Sequence, residues 1–318
     1  MNQGDHDSSL TPQVLDDYQK LSISVAPDYS YVQGGGGNVS IKTIDRVVVK
    51  ASGTRLSEAT AQSGYVVLDR ITAANQISRG GSVQDSLAST SPSGRASIEA
   101  PLHVMCGGTY VAHVHSAGTI ALGLTDRGGE FARINRWELI PYVQPGEPLL
   151  EALMASESFK STEGTAILGN HGLLTWAPTL EECVLRILDT ENRCREIFTR
   201  GPGVRTDSRD SFELLGEHEV EIDFASTTDQ AWLQFVMSNV LMPDQAVLLA
   251  GVDLPELLVT PTMMDISGLS KDRQEMLKLL HMLGHMLTVD DCVQVLTDIE
   301  IAQVLGLESE KYRQGKIK

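Results

Sequence analysis

The chain of 318 residues is poor in positive charge: 25 Lys+Arg stand against 42 Asp+Glu, a formal net charge of −17. Such a surface repels phosphate backbones and anionic headgroups, which argues against nucleic acid and against a membrane surface as partners. An anionic small molecule would need a locally positive site, built from a metal, backbone N–H groups or a few basic residues. No run of about 18 apolar residues occurs, so no transmembrane helix is expected. The opening MNQGDHDSSL is polar and acidic and lacks the apolar core of a secretory signal. Cysteine is scarce, with only Cys106, Cys183, Cys194 and Cys292, and no C-x-x-C pair. That spacing excludes a disulfide framework and reads as reduced thiols of a cytoplasmic protein. No internal repeat is visible.

What is present is an ordinary globular composition, 42% hydrophobic and 21% charged, able to bury a core. Residues 1–10 read as disordered, and Thr11-Pro12 as the start of a helix reaching about Ser24. YVQGGGGNVSIK feeds a glycine run into a strand, and DRVVVKASG and GYVVLDR read as two more. The Gly- and Ser-rich stretch Ser78–Arg95 reads as a surface loop. Ser97 to about Cys106 is predicted as a helix, Tyr110–His115 as a strand, and Glu147–Phe159 as an amphipathic helix. TAILGNHGLLTW gives two short strands around Gly169-Asn170. Thr179 and Glu182 form a T-x-x-E capping box for a helix ending near Arg200. The polar stretch from Gly201 to Asp210 marks the best boundary. Beyond it, TTDQAWLQFVMSNVL and SKDRQEMLKLLHMLGHML read as helices, PDQAVLLAG as a turn and strand, and Thr297 to Glu300 as another T-x-x-E cap.

The chemistry concentrates in YVAHVHSAGT. Residues i and i+2 of a strand point to one face, so His113 and His115 project together. A single buried histidine is usually a satisfied core residue; two on one apolar face bring four ring nitrogens that need partners. A divalent metal accounts for both. Glu99, at a predicted helix start in SIEAPLH, and His171, in the Gly-flanked turn GNHGLL, are the neighbours that strengthen this reading. Three histidines leave an open position on zinc, as a catalytic site requires.

GGGGNVSIK, KASGTRL, SIEAPLH, AHVHSAGTIAL and GNHGLLTWAPTLEEC occur in the order found in the class II aldolase/adducin family, which the chain resembles over roughly residues 10–200. MPDQAVLL and EKYRQ resemble a longer subgroup whose aldolase-like part is sometimes fused to a dehydrogenase; no dinucleotide fingerprint follows here. The resemblance implies a class II aldolase-like α/β fold for residues 1–205. A central, mostly antiparallel sheet would be flanked by helices, followed by a smaller α/β C-terminal region over 206–318. It implies that His113, His115 and His171 hold Zn²⁺ or another divalent transition metal and that Glu99 is the catalytic carboxylate. Asn38, Ser52, Gly53 and Ser97 would line a phosphate pocket. Ile98 stands where short aldolases carry a second serine, and Tyr142 is the nearest match to the family's proton-donating tyrosine. The implied activity is a zinc-dependent aldehyde-lyase that cleaves or forms a C–C bond in a sugar or sugar phosphate through a metal-stabilised enediolate. The implied assembly is a homo-oligomer, a tetramer in the family's aldolases. Alternatives are an epimerase, dehydratase or decarboxylase on the same site, or a non-enzymatic adducin-like binding module. The epimerases carry Asp where Glu99 stands.

Other features have plainer readings. Gly34–Gly37 can be a simple turn. His103, four residues after Glu99, reads as a packed core histidine, and His281 and His285 as core or interface, because no third ligand accompanies them.

Overall fold

A computed structural model describes residues 10–200, 215–216, 218–224, 227–287, 291–315 and 317. The expected disordered start and the expected boundary after Arg200 lie almost wholly outside the described residues. Thr11, accepting at its hydroxyl from the Val14 amide, caps helix α1 (Pro12–Ser24). The glycine run then leads into β1 (Asn38–Lys42), β2 (Arg46–Lys50), β3 (Tyr65–Asp69), α2 (Arg70–Ser78) and α3 (Ala100–Met105). Next come β4 (Tyr110–Val114), α4 (Ala117–Gly123), α5 (Arg127–Asn135), β5 (Glu138–Ile140), α6 (Glu147–Met154), β6 (Gly164–Leu168), β7 (Gly172–Ala177) and α7 (Leu180–Arg200). The C-terminal part contributes β8 (Glu221–Asp223), α8 (Thr227–Ser238), α9 (Pro243–Leu248), β9 (Met263–Asp265), α10 (Lys271–Met286), α11 (Asp298–Gly306) and α12 (Glu308–Gln314).

Seven strands form one sheet in the order β3-β2-β1-β4-β7-β6-β5. Every pairing is antiparallel except β5 with β6. Helices cover both faces. Leu102 of α3 and Leu149, Leu150 and Leu153 of α6 pack on Val111, Leu174 and Trp176. On the other face Leu21, Ala112, Val114, Ile120 and Ile187 share one cluster with Trp232, Leu279 and Leu283 from the C-terminal helices. Each Val, Leu or Ile among them contributes about 1.5–3 kcal/mol when fully buried. The C-terminal segment is therefore fastened to the sheet by the same core that holds α1, α4 and α7.

Two local expectations are corrected, and one helix had no sequence expectation. PDQAVLLAG is not a turn and strand but helix α9, with Pro243 in the first turn and Asp244 beside it. Both residues favour a helix start, and a short buried apolar run does not by itself distinguish strand from helix. The helix expected over Glu147–Phe159 stops at Met154. Beyond it the Ser156 hydroxyl accepts from the Ser158 amide, offering the backbone a local alternative to helix. Helix α5 was hidden by its Gly128-Gly129 pair, and it ends on Arg136 in the left-handed region at φ 59°.

Candidate metal centre

Strand register assembles the site. Asn38 opposes His113 across β1–β4, and His113 opposes Leu174 across β4–β7. His115 follows the end of β4, and His171 sits in the turn entering β7, so all three imidazoles meet at one end of the central strands. Glu99 caps α3 directly above them. The turn is held by Asn170 at φ 53°, whose amide donates to Leu241 O (2.8 Å) and Gln294 O (3.1 Å) of the C-terminal segment.

The histidine donor atoms lie within 4.8 Å of one another. His113 Nδ1 is 2.9 Å from Leu173 O, an acceptor only, so that nitrogen carries the proton and Nε2 faces inward unprotonated. His115 Nε2 lies 3.0 Å from it. Glu99 Oε2 is 3.6 Å from His113 Nε2, and Oε1 is 3.4 Å from His171 Nε2. Asn38 Nδ2 donates to Glu99 Oε2 at 2.8 Å, while its carbonyl accepts from His103 Nε2; His103 Nδ1 then accepts from Ser40 Oγ at 2.8 Å. His103 is fully buried, as a core residue should be, yet it braces the carboxylate through Asn38.

Burial on its own would raise the Glu99 pKa. The imidazoles of His113, His171 and His115 and the Asn38 amide outweigh it and hold the carboxyl at about 2. Burial drives His171 and His103 down to about 3 and lowers His113 as well, so these rings are neutral and free to donate electron pairs.

These shifts make stability depend on pH. His103 and His171 stay neutral in the native chain to about pH 3 but take a proton near 6.5 when unfolded. Their contribution is complete above about pH 6.5 and is lost as pH falls towards 3, at about 1.4 kcal/mol per pH unit for each ring. The urea midpoint of chelator-treated protein should therefore fall clearly between pH 7 and pH 5. An unchanged midpoint would contradict the burial of these rings as neutral groups.

A cavity of about 30 Å³, room for one or two waters, lies over the triad. Asn38, Ser52, Gly53 and Ser97 all line it together with Glu99, His115 and His171. Ser97 Oγ also accepts from the Glu99 amide at 3.2 Å. The Gly34 and Gly36 amides are already committed, to Glu275 Oε2 (2.8 Å) and Gln33 O (3.0 Å). Tyr142 does not line the cavity; burial, with Glu300 adding, pushes its phenol up to about 12. His281 and His285 pack edge to face at 4.6 Å; His285 is exposed, and half-buried His281 packs on the buried Phe224.

Sequence reasoning passed over several lining residues. Lys50, at the end of the apolar strand RVVVK, is buried and donates to Gly35 O (2.8 Å) and Thr54 O (2.6 Å); burial brings its pKa down to about 7. A lysine closing an apolar strand was the available signal. Asp244, Glu310 and Arg313 reach the cavity from α9 and α12, in the two phrases that resemble a longer subgroup.

The donor set suits a divalent transition metal. Three imidazoles converge, two of them forced to be neutral, and among the described residues no hydrogen-bond donor reaches the buried Glu99 Oε1. The family model of the Class II Aldolase and Adducin N-terminal domain matches residues 20–198, and the chain belongs to that family. It is 27% identical over 192 residues to "Uncharacterized oxidoreductase YuxG" of Bacillus subtilis (strain 168), a match that takes 54% of this chain but only 28% of that relative's length. Among solved structures it is similar to the N-terminal class II aldolase domain of a conserved protein from Thermoplasma acidophilum. That likeness has 25% identity, 63% of this chain and 97% of the other, and a TM-score of 0.51. L-fuculose-1-phosphate aldolase from Thermus thermophilus is also similar, at 14% identity over 61% of this chain and 100% of the other, with a TM-score of 0.44.

Proposed function

We propose that the protein is a metal-dependent lyase of the aldolase type, cleaving or forming a C–C bond in a sugar or sugar phosphate. The observation that carries this reading is a carboxylate, Glu99, held 3.4–3.6 Å from two of three converging imidazoles. His113, His115 and His171 would hold Zn²⁺ or another divalent transition metal, which when bound would supply Lewis acidity to a substrate carbonyl and its neighbouring hydroxyl. Glu99 takes or returns the proton α to that carbonyl. Asn38 keeps the carboxylate oriented, and His103 keeps Asn38 oriented. Ser52 and Ser97 offer hydroxyls and Lys50 an amino group to an anionic end of the substrate, beside the Gly53 backbone. A sugar is larger than the cavity, so admitting one requires lining side chains to move. Homo-oligomerisation and a cytoplasmic location belong to the same reading and rest on family membership.

Elemental analysis tests the site. Zinc-incubated protein should carry about one ion per chain, and His115→Ala should carry almost none, since two imidazoles hold zinc far more weakly than three. NMR of products from phosphorylated ketoses should then show an aldehyde and a shorter ketone. Stereochemical inversion, water loss or CO₂ release would replace the lyase by another reaction on the same residues. Wild-type protein that carries no ion would move a non-enzymatic binding module to first place.

A further inference from the structure

Helix α9 lies beyond residues 20–198 matched by the family model, yet its Asp244 reaches into the cluster of imidazoles. Asp244 Oδ2 stands 2.8 Å from His115 Nδ1, but the two atoms are not aligned as a hydrogen bond, and neither has another partner among the described residues. The carboxylate is 5% exposed, and its other oxygen accepts from Arg313 Nη1 at 3.0 Å. The same Nη1 donates to Glu310 Oε2 at 2.9 Å. Oδ1 is thus occupied from α12, and Oδ2 is the oxygen left for the histidine. The chain leaves room for this contact at Gly36, where a Cβ would lie 2.5 Å from Asp244 Oδ2 and 2.9 Å from His115 Nδ1.

Proton placement decides what this contact can become. His113 spends its ring proton on Leu173 O, so its Nε2 can only accept. The 3.0 Å contact between the two Nε2 atoms favours a proton on His115 Nε2, whereas the carboxylate 2.8 Å from Nδ1 favours it there. With Nε2 of both rings given to a metal, only Nδ1 would remain for the His115 proton, and a small turn of the ring would make the 2.8 Å approach a charge-assisted hydrogen bond. A carboxylate behind a ligating imidazole fixes its tautomer and ring orientation and raises its basicity.

We infer that Asp244 is a positioning residue for His115, so that the C-terminal segment completes the metal centre and metal binding in turn tightens α9 and α12 onto the site. The inference rests on the reading of His113, His115 and His171 as metal ligands. Asp244 does not touch the metal; it acts through His115, with Arg313 holding it in place.

The test is zinc affinity of the full chain, by competition with a chromophoric chelator, for wild type, Asp244→Ala and Asp244→Asn. Asp244→Ala should weaken binding about 10- to 100-fold, the range seen when outer carboxylates of metal sites are removed, and Asp244→Asn, which still accepts from Nδ1–H, should recover part of it. Urea midpoints of the metal-free proteins separate this from general loss of structure: a positioning role predicts a loss of affinity out of proportion to any change in midpoint. Equal affinities of wild type and Asp244→Ala would overturn the inference and leave the metal centre standing. A wild type that binds no zinc would overturn both. Should Asp244→Ala fail to fold, hydrogen exchange on wild type decides: zinc should slow exchange in residues 243–248 and 308–314, and unchanged exchange there would overturn the coupling.

Discussion

Glu99→Gln should lower turnover 10²- to 10⁴-fold on whichever ketose phosphate the wild type cleaves, while the bound metal stays near one per chain. The side chain keeps its length, and its amide oxygen can still accept from Asn38 Nδ2, now 2.8 Å from Oε2. What it loses is the capacity to carry a proton. The carboxyl of the resting site is held at about 2, because three imidazoles and the Asn38 amide outweigh the cost of burying its charge. So acidic a group is a weak base. It becomes useful only when substrate alters its surroundings, and its Oε1, without a hydrogen-bond donor among the described residues, is the atom placed to accept. His113 does not depend on Glu99 for its inward direction, because Leu173 O sets its ring. Steady-state kinetics beside elemental analysis checks both halves. Full turnover by the variant would remove Glu99 as the base; loss of metal with loss of turnover would make it chiefly a ligand.

Gly172→Ala should be the most damaging small substitution near the site. A Cβ there would lie 2.3 Å from Val114 O and 3.0 Å from His115 Cα, and φ is +148°, where L side chains are strained. The obstacle is backbone in the central strand, with no flexible side chain to give way. Relief requires separating β7 from β4, the pair that brings His171 to His113. Overpacking and strain together cost about 3 kcal/mol or more. Thermal unfolding should show a fall of several degrees in Tm, with zinc affinity falling alongside because ligand spacing is lost. Gly129→Ala, with nothing within 4 Å of its Cβ, is the control expected to leave both unchanged. A Gly172→Ala variant as stable as that control would show that the two strands can part at little cost.

The local signals that proved legible are those whose cause is local. Thr11-Pro12 starts a helix because Pro lacks an N–H that the first turn does not need. Thr297 and Glu300 form the reciprocal capping box that their spacing announces. Alternation put His113 and His115 on one side before any fold was known. The failures have one cause as well. PDQAVLLAG is apolar enough to suit a buried strand or a buried helix, and only its packing decides. Lys50 reads as the end of a strand until the chain folds its ammonium under Gly35 and Thr54.

By itself, then, the sequence determined the element types with strong caps or periodicity, the absence of membrane-spanning runs, the acidic surface and the membership signalled by five ordered motifs. Tertiary structure decided the rest: that Asn38 faces His113, that His171 joins from the next strand, and that Asp244 and Arg313 arrive from 130 and 199 positions after Val114 to close the cavity. The physical reason is range. Propensity and capping act over a few residues and are written in neighbouring side chains. Strand register and helix docking are set by burial across the whole core, which no short stretch of sequence contains.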